Sequence, residues 1–223
     1  MKIALVGYGK MGRLIEELAP ASGIEVTGRF DIGQPLVAGD YRVAIDFTMP
    51  DAVVDNVRRA ASLGIHVVVG TTGWAGHLDE VKGIVDSAGI GLVYGANFSI
   101  GVNLFFRAVR EAATLFATRP EYDPFLWEMH HRHKKDAPSG TAFVLQSILR
   151  EAYGRTVEAS STRGGEVPGT HTVGFDSEAD SITLTHTARS RKGFALGALE
   201  AAKWIEGRTG LHSFEEVLWE APH

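Results

Sequence analysis

The chain has 223 residues, 44% of them hydrophobic and 22% charged, a formal net charge of −5 and no cysteine. It can bury a substantial core, and disulfides, thiolate metal ligands and a cysteine nucleophile are excluded. The negative balance gives no overall field for nucleic acid or an anionic membrane. No run reaches the ~18 apolar residues of a membrane span. The first apolar run passes straight into glycines rather than a cleavage site, so a cytoplasmic protein is expected.

In chain order, apolar runs predict strands at Ile3–Val6, Glu25–Phe30, Arg42–Phe47, His66–Val69 and Gly91–Tyr94. Helical spacing falls between them at Met11–Ala19, Asp51–Leu63 and Leu78–Ala88. This alternation predicts an α/β fold with a Rossmann-type doubly wound parallel sheet. Past residue 100 the pattern changes to a helix at Val102–Phe116, a strand at Asp123–Glu128 and a helix from about Ala142 to Tyr153. A polar stretch, Ala159–His171, precedes an alternating strand, Ser181–Ala188, and helices follow at Gly193–Ile205 and Phe214–Trp219. The expected organisation is a dinucleotide-binding domain, 1–100 with 192–223, and an α+β lobe, 101–191, for substrate binding and oligomerisation.

Gly7-Tyr8-Gly9-Lys10-Met11-Gly12 is a G-x-G-x-x-G string that closes a strand and opens a helix. The first glycine permits a tight turn, the second lets backbone approach a pyrophosphate, and the third brings helix and strand close. Free N–H groups at the helix start then face the phosphates. A glycine-rich turn without a ligand is the plainer alternative. Small and polar residues also follow the other strands, at Asp46-Phe47-Thr48, Gly70-Thr71-Thr72-Gly73 and Ala96-Asn97-Phe98-Ser99. Ligands bind at the carboxyl ends of such strands, so one long ligand across this edge is expected. Asp31 ends the second strand, where a carboxylate accepts hydrogen bonds from ribose hydroxyls and repels a 2′-phosphate. Ile32, not an arginine, follows it, so NADH is preferred over NADPH. Asp31 could instead simply start a turn with Gly33, and alternation leaves the direction of Arg29 open.

Glu128-Met129-His130-His131-Arg132-His133-Lys134-Lys135 is a run of titratable side chains behind the apolar Phe125-Leu126-Trp127. A solvated charged loop is the usual reading of such a run. Three histidines suit proton transfer near neutral pH, and Pro138-Ser139-Gly140-Thr141 at a helix start suits a carboxylate. Together they describe a pocket for an anion. Zinc on His130, His131 and His133 is disfavoured by Arg132, Lys134 and Lys135, so no metal is expected. Nucleic acid is disfavoured as well, since no aromatic residues interleave the basic ones.

From Glu128 to Ala142 the string E-x-H-H-R-H-K-x-D-A-P-S-G-T-A resembles the signature of the 4-hydroxy-tetrahydrodipicolinate reductase family, also called dihydrodipicolinate reductase. The likeness extends to Gly7–Gly12, Asp46-Phe47-Thr48, Gly70–Gly73, Asn97–Val102 and Arg191-x-x-Phe194-Ala195. It implies NAD(P)H-dependent reduction of a cyclic dicarboxylate to tetrahydrodipicolinate, in the diaminopimelate route to lysine. By motif position it implies His130 as proton donor or acceptor and Lys134 as proton donor. Substrate carboxylates would meet His131, Lys134, Gly140 and Thr141. The cofactor would contact Gly7, Tyr8, Gly9, Lys10, Met11, Gly12, Asp31, Phe47, Thr48, Gly70, Thr71, Thr72, Gly95, Ala96, Asn97, Phe98 and Arg191. A homotetramer built through the second lobe's sheet is implied too, with Ser181–Ala188 as a contributor. The chain departs from the family in compact connections around residues 32–41 and 154–180. The i, i+4 spacing of His130 and Lys134 is expected to aim both one way on a helix or strand, with the nicotinamide facing them across a cleft. Other readings are a two-lobed dehydrogenase of an amino or keto dicarboxylate, such as an aspartate dehydrogenase, and a nonenzymatic dinucleotide sensor.

Overall fold

A computed structural model describes residues 1–220, and the last three residues of the expected 192–223 segment lie outside the described residues. The strands are β1 (Lys2–Val6), β2 (Glu25–Phe30), β3 (Val43–Asp46), β4 (His66–Val69), β5 (Gly91–Tyr94), β6 (Asp123–His130), β7 (Ala159–Arg163), β8 (Thr170–Asp176), β9 (Ser181–Thr187) and β10 (Gly210–Ser213). The helices are α1 (Lys10–Leu18), α2 (Val53–Ser62), α3 (Leu78–Ala88), α4 (Ile100–Phe116), α5 (Gly140–Tyr153), α6 (Lys192–Ile205) and α7 (Phe214–Trp219). The chain divides into two compact units, Met1–Ile100 with the segment from Lys192 onward, and Gly101–Arg191.

The first unit holds a six-stranded sheet in the order β10-β5-β4-β3-β1-β2, parallel throughout. Side chains alternate between its two covered faces. Ile3, Leu5, Ile45, Val68 and Val93 pack with Ile15 of α1 and with Ala198, Leu199 and Ile205 of α6. Ala4, Val6, Ala44, Val67, Val69 and Leu92 pack with Val53 and Val57 of α2 and with Val81 and Val85 of α3. Burial on both faces explains why these strands read as unbroken apolar runs. The strand order reverses direction at β1 and β3, and in open α/β sheets that switch point is where ligands sit.

The second unit holds a four-stranded sheet, β7-β6-β8-β9, with β6 and β7 parallel and the remaining pairs antiparallel. Phe105, Val109 and Ala113 of α4 and Leu145, Ile148 and Leu149 of α5 cover one face against Leu126, Val173 and Phe175. Three local expectations need correction. The strand expected to stop at Glu128 runs on to His130. The polar stretch Ala159–His171 contains β7 and the start of β8, so the connection at 154–180 carries two strands. β10 was not foreseen. Both missed strands, β7 and β10, expose or half-expose every side chain, so backbone pairing without apolar alternation defines them.

Candidate active site

At the sheet edge of the first unit, β1 ends in Gly7, whose φ of +88° is open to glycine at little cost. A Cβ on Gly7 would run into the carbonyl of Phe47, and one on Gly12 would lie 2.5 Å from the Gly7 carbonyl oxygen. A Cβ on Gly9 would meet nothing within 4 Å. The first and third glycines therefore serve packing, while the second borders open space. Gly9 is also the N-cap of α1 and supplies no side-chain cap, so the first-turn N–H groups face that space. Gly9, Lys10, Met11, Phe47, Thr48, Pro50, Gly70, Thr71 and Thr72 line a depression of about 480 Å³ there. This cradle fits the pyrophosphate and adjoining parts of a dinucleotide.

Asp46 ties the depression together. Its buried carboxylate accepts from Thr48 N at 2.9 Å, Thr48 Oγ1 at 2.7 Å, Asn56 Nδ2 at 2.8 Å and Thr71 Oγ1 at 3.0 Å. Burial pushes its pKa up, against the donors that favour the carboxylate. The Phe47 ring lies where a Gly70 side chain would be. Gly95, Ala96 and Asn97 follow β5, and Asn97 Oδ1 accepts from Ser99 N at 2.8 Å. Phe98 is buried between Phe47 and Phe214, so only its backbone is offered to a ligand. Arg191 is exposed just ahead of α6.

Asp31 is exposed at the end of β2, and its Oδ1 accepts from Ile32 N at 3.0 Å. Ile32 is 97% exposed and brings no charge. Arg29, whose direction the sequence left open, pairs with Glu16 of α1, and Tyr8 donates to the same carboxylate.

In the second unit, alternation along β6 turns Leu126, Glu128 and His130 to its buried face. Glu128 is fully buried and accepts from Ser139 N at 3.1 Å, Ser161 Oγ at 2.8 Å and Arg163 Nη2 at 2.8 Å. Burial works to raise its pKa, but the bonds from Ser139, Arg163 and Ser161 outweigh it and hold it at about 2. His130 closes the strand with its Nδ1 3.5 Å from Glu128 Oε2. Burial lowers the His130 pKa; Glu128 opposes this, and Lys134 and Arg163 add to it.

Lys134 lies in the loop after β6, so neither helical nor strand spacing aligns it with His130. Its Nζ donates to Asp136 Oδ1 at 2.8 Å, and its backbone N–H bonds His131 O at 3.1 Å. His131 is partly buried, whereas His133 is exposed and 3.8 Å from Glu166. Ser139 caps α5 by accepting from Ala142 N at 3.2 Å, which sets Gly140 and Thr141 in the first turn. A Cβ on Gly140 would meet nothing within 4 Å, leaving that helix start open to an anion.

Sequence reasoning gave no role to Glu128, Arg163 or His171, and read Ser139 only as part of a helix start suited to a carboxylate, not as a partner of Glu128 and His171. The alternation of β6 was a usable signal, because it puts a carboxylate on the face shared by Leu126. Among the described residues, Glu128, His130 and His171 bring possible ligand atoms within 4.8 Å, a different trio from the adjacent histidines of the sequence. The Arg163 guanidinium on the same carboxylate disfavours a cation there.

The model of the dihydrodipicolinate reductase N-terminus matches residues 1–98, and that of its C-terminus matches residues 101–218. A 4-hydroxy-tetrahydrodipicolinate reductase of Christiangramia forsetii is 37% identical, with 98% of each chain covered. One of Methanoregula boonei is 38% identical, covering 91% of this chain and 85% of its own. Among solved structures, dipicolinate-bound dihydrodipicolinate reductase of Paenisporosarcina sp. TG-14 superposes with a TM-score of 0.78 at 22% identity, covering 96% of this chain and 97% of its own. Aspartate dehydrogenase of Thermotoga maritima superposes with a TM-score of 0.52 at 9% identity, over 93% of this chain and 97% of its own, a likeness of fold alone. Matched along nearly its whole length, the chain belongs to the dihydrodipicolinate reductase family.

Proposed function

We propose that this chain reduces 4-hydroxy-tetrahydrodipicolinate to tetrahydrodipicolinate with NADH, in the diaminopimelate route to lysine. The observation that carries the reading is the pairing of a buried, carboxylate-flanked His130 with an open helix start at Gly140–Thr141, in a chain of this family. The dinucleotide binds the first unit through Gly7–Gly12, Asp31, Phe47–Thr48, Gly70–Thr72, Gly95–Phe98 and Arg191. NADH is favoured because Asp31 is unneutralised by its neighbour Ile32, and because Arg29 is held by Glu16.

The conversion removes water and adds one hydride and one proton. A bound reduced nicotinamide supplies the hydride. His131, Gly140 and Thr141 hold the substrate carboxylates, with the α5 N-terminus contributing N–H donors. Lys134, oriented by Asp136, places positive charge where negative charge develops on the ring and can donate a proton. His130 transfers a proton, and burial makes its imidazolium form a ready donor. The second unit also forms the contacts of a homotetramer; exposed Ile182 on β9 supports this, and light scattering tests it. Among the described residues no helix is long and apolar enough to cross a membrane, in keeping with a cytoplasmic location.

The test is NADH oxidation dependent on enzymatically generated hydroxy-tetrahydrodipicolinate. His130→Ala and Lys134→Ala each lower kcat by about 10²–10⁴-fold while NADH binding survives. Near-full activity in either variant refutes its role. Turnover of an amino or keto dicarboxylate in place of the cyclic substrate refutes the activity.

A further inference from the structure

We propose that Glu128 and His171 act together as buried positioning residues for His130, holding its ring and, through Ser139, the start of α5 in one arrangement. The proposal rests on the reading of His130 as the proton-transferring group.

Strand register builds the unit. Glu128 of β6 is paired with Ser161 of β7 on one side and His171 of β8 on the other, and His130 is paired with Arg163. Neighbouring strands lie about 4.8 Å apart, so side chains on one face of such a row meet directly. His171 Nε2 is 3.4 Å from Glu128 Oε2 and 3.0 Å from Ser139 Oγ. Its ring stands edge-on to that of His130, with centroids 5.0 Å apart. On the remaining side, a Cβ at Gly169 would lie 2.9 Å from His130 Nε2, and Gly169 has a φ of +153°. Carboxylate, imidazole and a bare glycine backbone thus enclose the His130 ring.

The tautomer of His171 follows from its surroundings. Its Nδ1 is buried without a hydrogen-bond partner, and its Nε2 faces two oxygens, one a carboxylate that can only accept. A proton on Nε2 is shared with those oxygens and leaves only a lone pair at Nδ1. A proton on Nδ1 would strand a donor and turn a lone pair toward the carboxylate. The N–H therefore sits on Nε2, and the ring joins Glu128 to the cap of α5. Both residues turn their polar atoms to internal partners, Glu128 to Ser139, Ser161 and Arg163 and His171 to Ser139 and Glu128, so they act through His130 and Ser139 rather than on substrate.

Three variants test this. The charged and titratable groups facing His130 are Glu128 on its own strand, His171 on β8, Arg163 on β7, and Lys134 and Asp136 in the loop. Glu128→Gln removes the nearest negative charge, so the His130 pKa falls by about one unit or more. Nuclear magnetic resonance of the imidazole reads this directly, and the alkaline limb of kcat/KM, set by loss of the imidazolium donor, moves the same way. His171→Leu, which keeps bulk and loses the donor, lowers kcat by about 10–100-fold with NADH affinity unchanged. His171→Gln, which retains an N–H donor, recovers most of that loss. An unmoved His130 titration in Glu128→Gln overturns the proposal, as does a kcat within twofold of wild type in His171→Leu. Equal losses in His171→Leu and His171→Gln overturn the hydrogen-bonding role. If His130→Ala keeps full activity, the functional reading falls, while the resonance titration still decides the electrostatic half of the proposal.

Discussion

Replacing His171 by glutamine should flatten the acid limb of the stability curve. The ring has an ordinary pKa of 6.5 in the unfolded chain; in the fold, burial and the neighbouring His130 push it down to about 4, against the pull of Glu128. His186, its partner across β9, adds to the depression. Below pH 6.5 the unfolded chain therefore binds more protons than the folded one. The contribution of His171 is complete above that value and is lost as pH falls toward about 4. At about 1.4 kcal/mol per pKa unit, the full effect is about 3 kcal/mol. For a chain of this size that corresponds to about 6–12 °C in Tm. Glu128, held at about 2, contributes its own loss only below its ordinary value of 4.5, so the two windows separate. Urea unfolding followed by circular dichroism at about pH 7 and about pH 4.5 measures the difference. Wild type should lose about 2–3 kcal/mol more than His171→Gln over this interval. Equal losses in the two proteins would refute the assignment of a buried, neutral imidazole.

Gly9→Ala, whose added methyl meets open space, should leave unfolding stability within about 0.5 kcal/mol of wild type. It should weaken NADH binding by about tenfold or more, read by fluorescence titration. Gly12→Ala places its methyl against the Gly7 carbonyl and should destabilise the fold by about 1–3 kcal/mol, read by urea unfolding. Glu16→Ala releases Arg29 toward a 2′-phosphate, so the NADPH/NADH ratio of kcat/KM should rise about fivefold; an unchanged ratio means that Arg29 plays no part in selectivity. Asp46→Asn sets an amide N–H against donors that need an acceptor, which should cost about 1–3 kcal/mol of stability and loosen the Thr48 and Thr71 edge, seen as weaker NADH binding by calorimetry.

Much of the fold was legible because β1, β3, β4 and β5 are buried on both faces, a place filled almost wholly by apolar residues. The glycine string was legible for a related reason, since Gly7 and Gly12 stand where no Cβ is tolerated. β7 was not legible. It has no apolar face to advertise, and its place comes from β6, whose own backbone groups it satisfies. The site followed the same division. His130 and Lys134 stood out by residue type, but what surrounds them depended on register. Arg163 and His171 lie more than thirty residues from Glu128 in the chain and meet it only because β7 and β8 flank β6. The loop position of Lys134 was equally hidden, because i, i+4 spacing speaks of direction only inside a regular element.

The first sheet is assembled from two distant parts of the chain, and this bears on how the protein is made. β10 supplies the strand beside β5, and α6 fills one face with Ala195, Ala198, Leu199, Ala202 and Ile205. Both are synthesised after the whole of the Gly101–Arg191 unit, which is continuous. A growing chain therefore emerges with five parallel strands, one apolar face of which α1 covers only in part, waits while the second unit completes, and only then receives the rest of its cover. Nascent chains halted before Lys192 should be targets for chaperones that recognise exposed apolar surface, and the glycine cradle should gain dinucleotide affinity only after release from the ribosome.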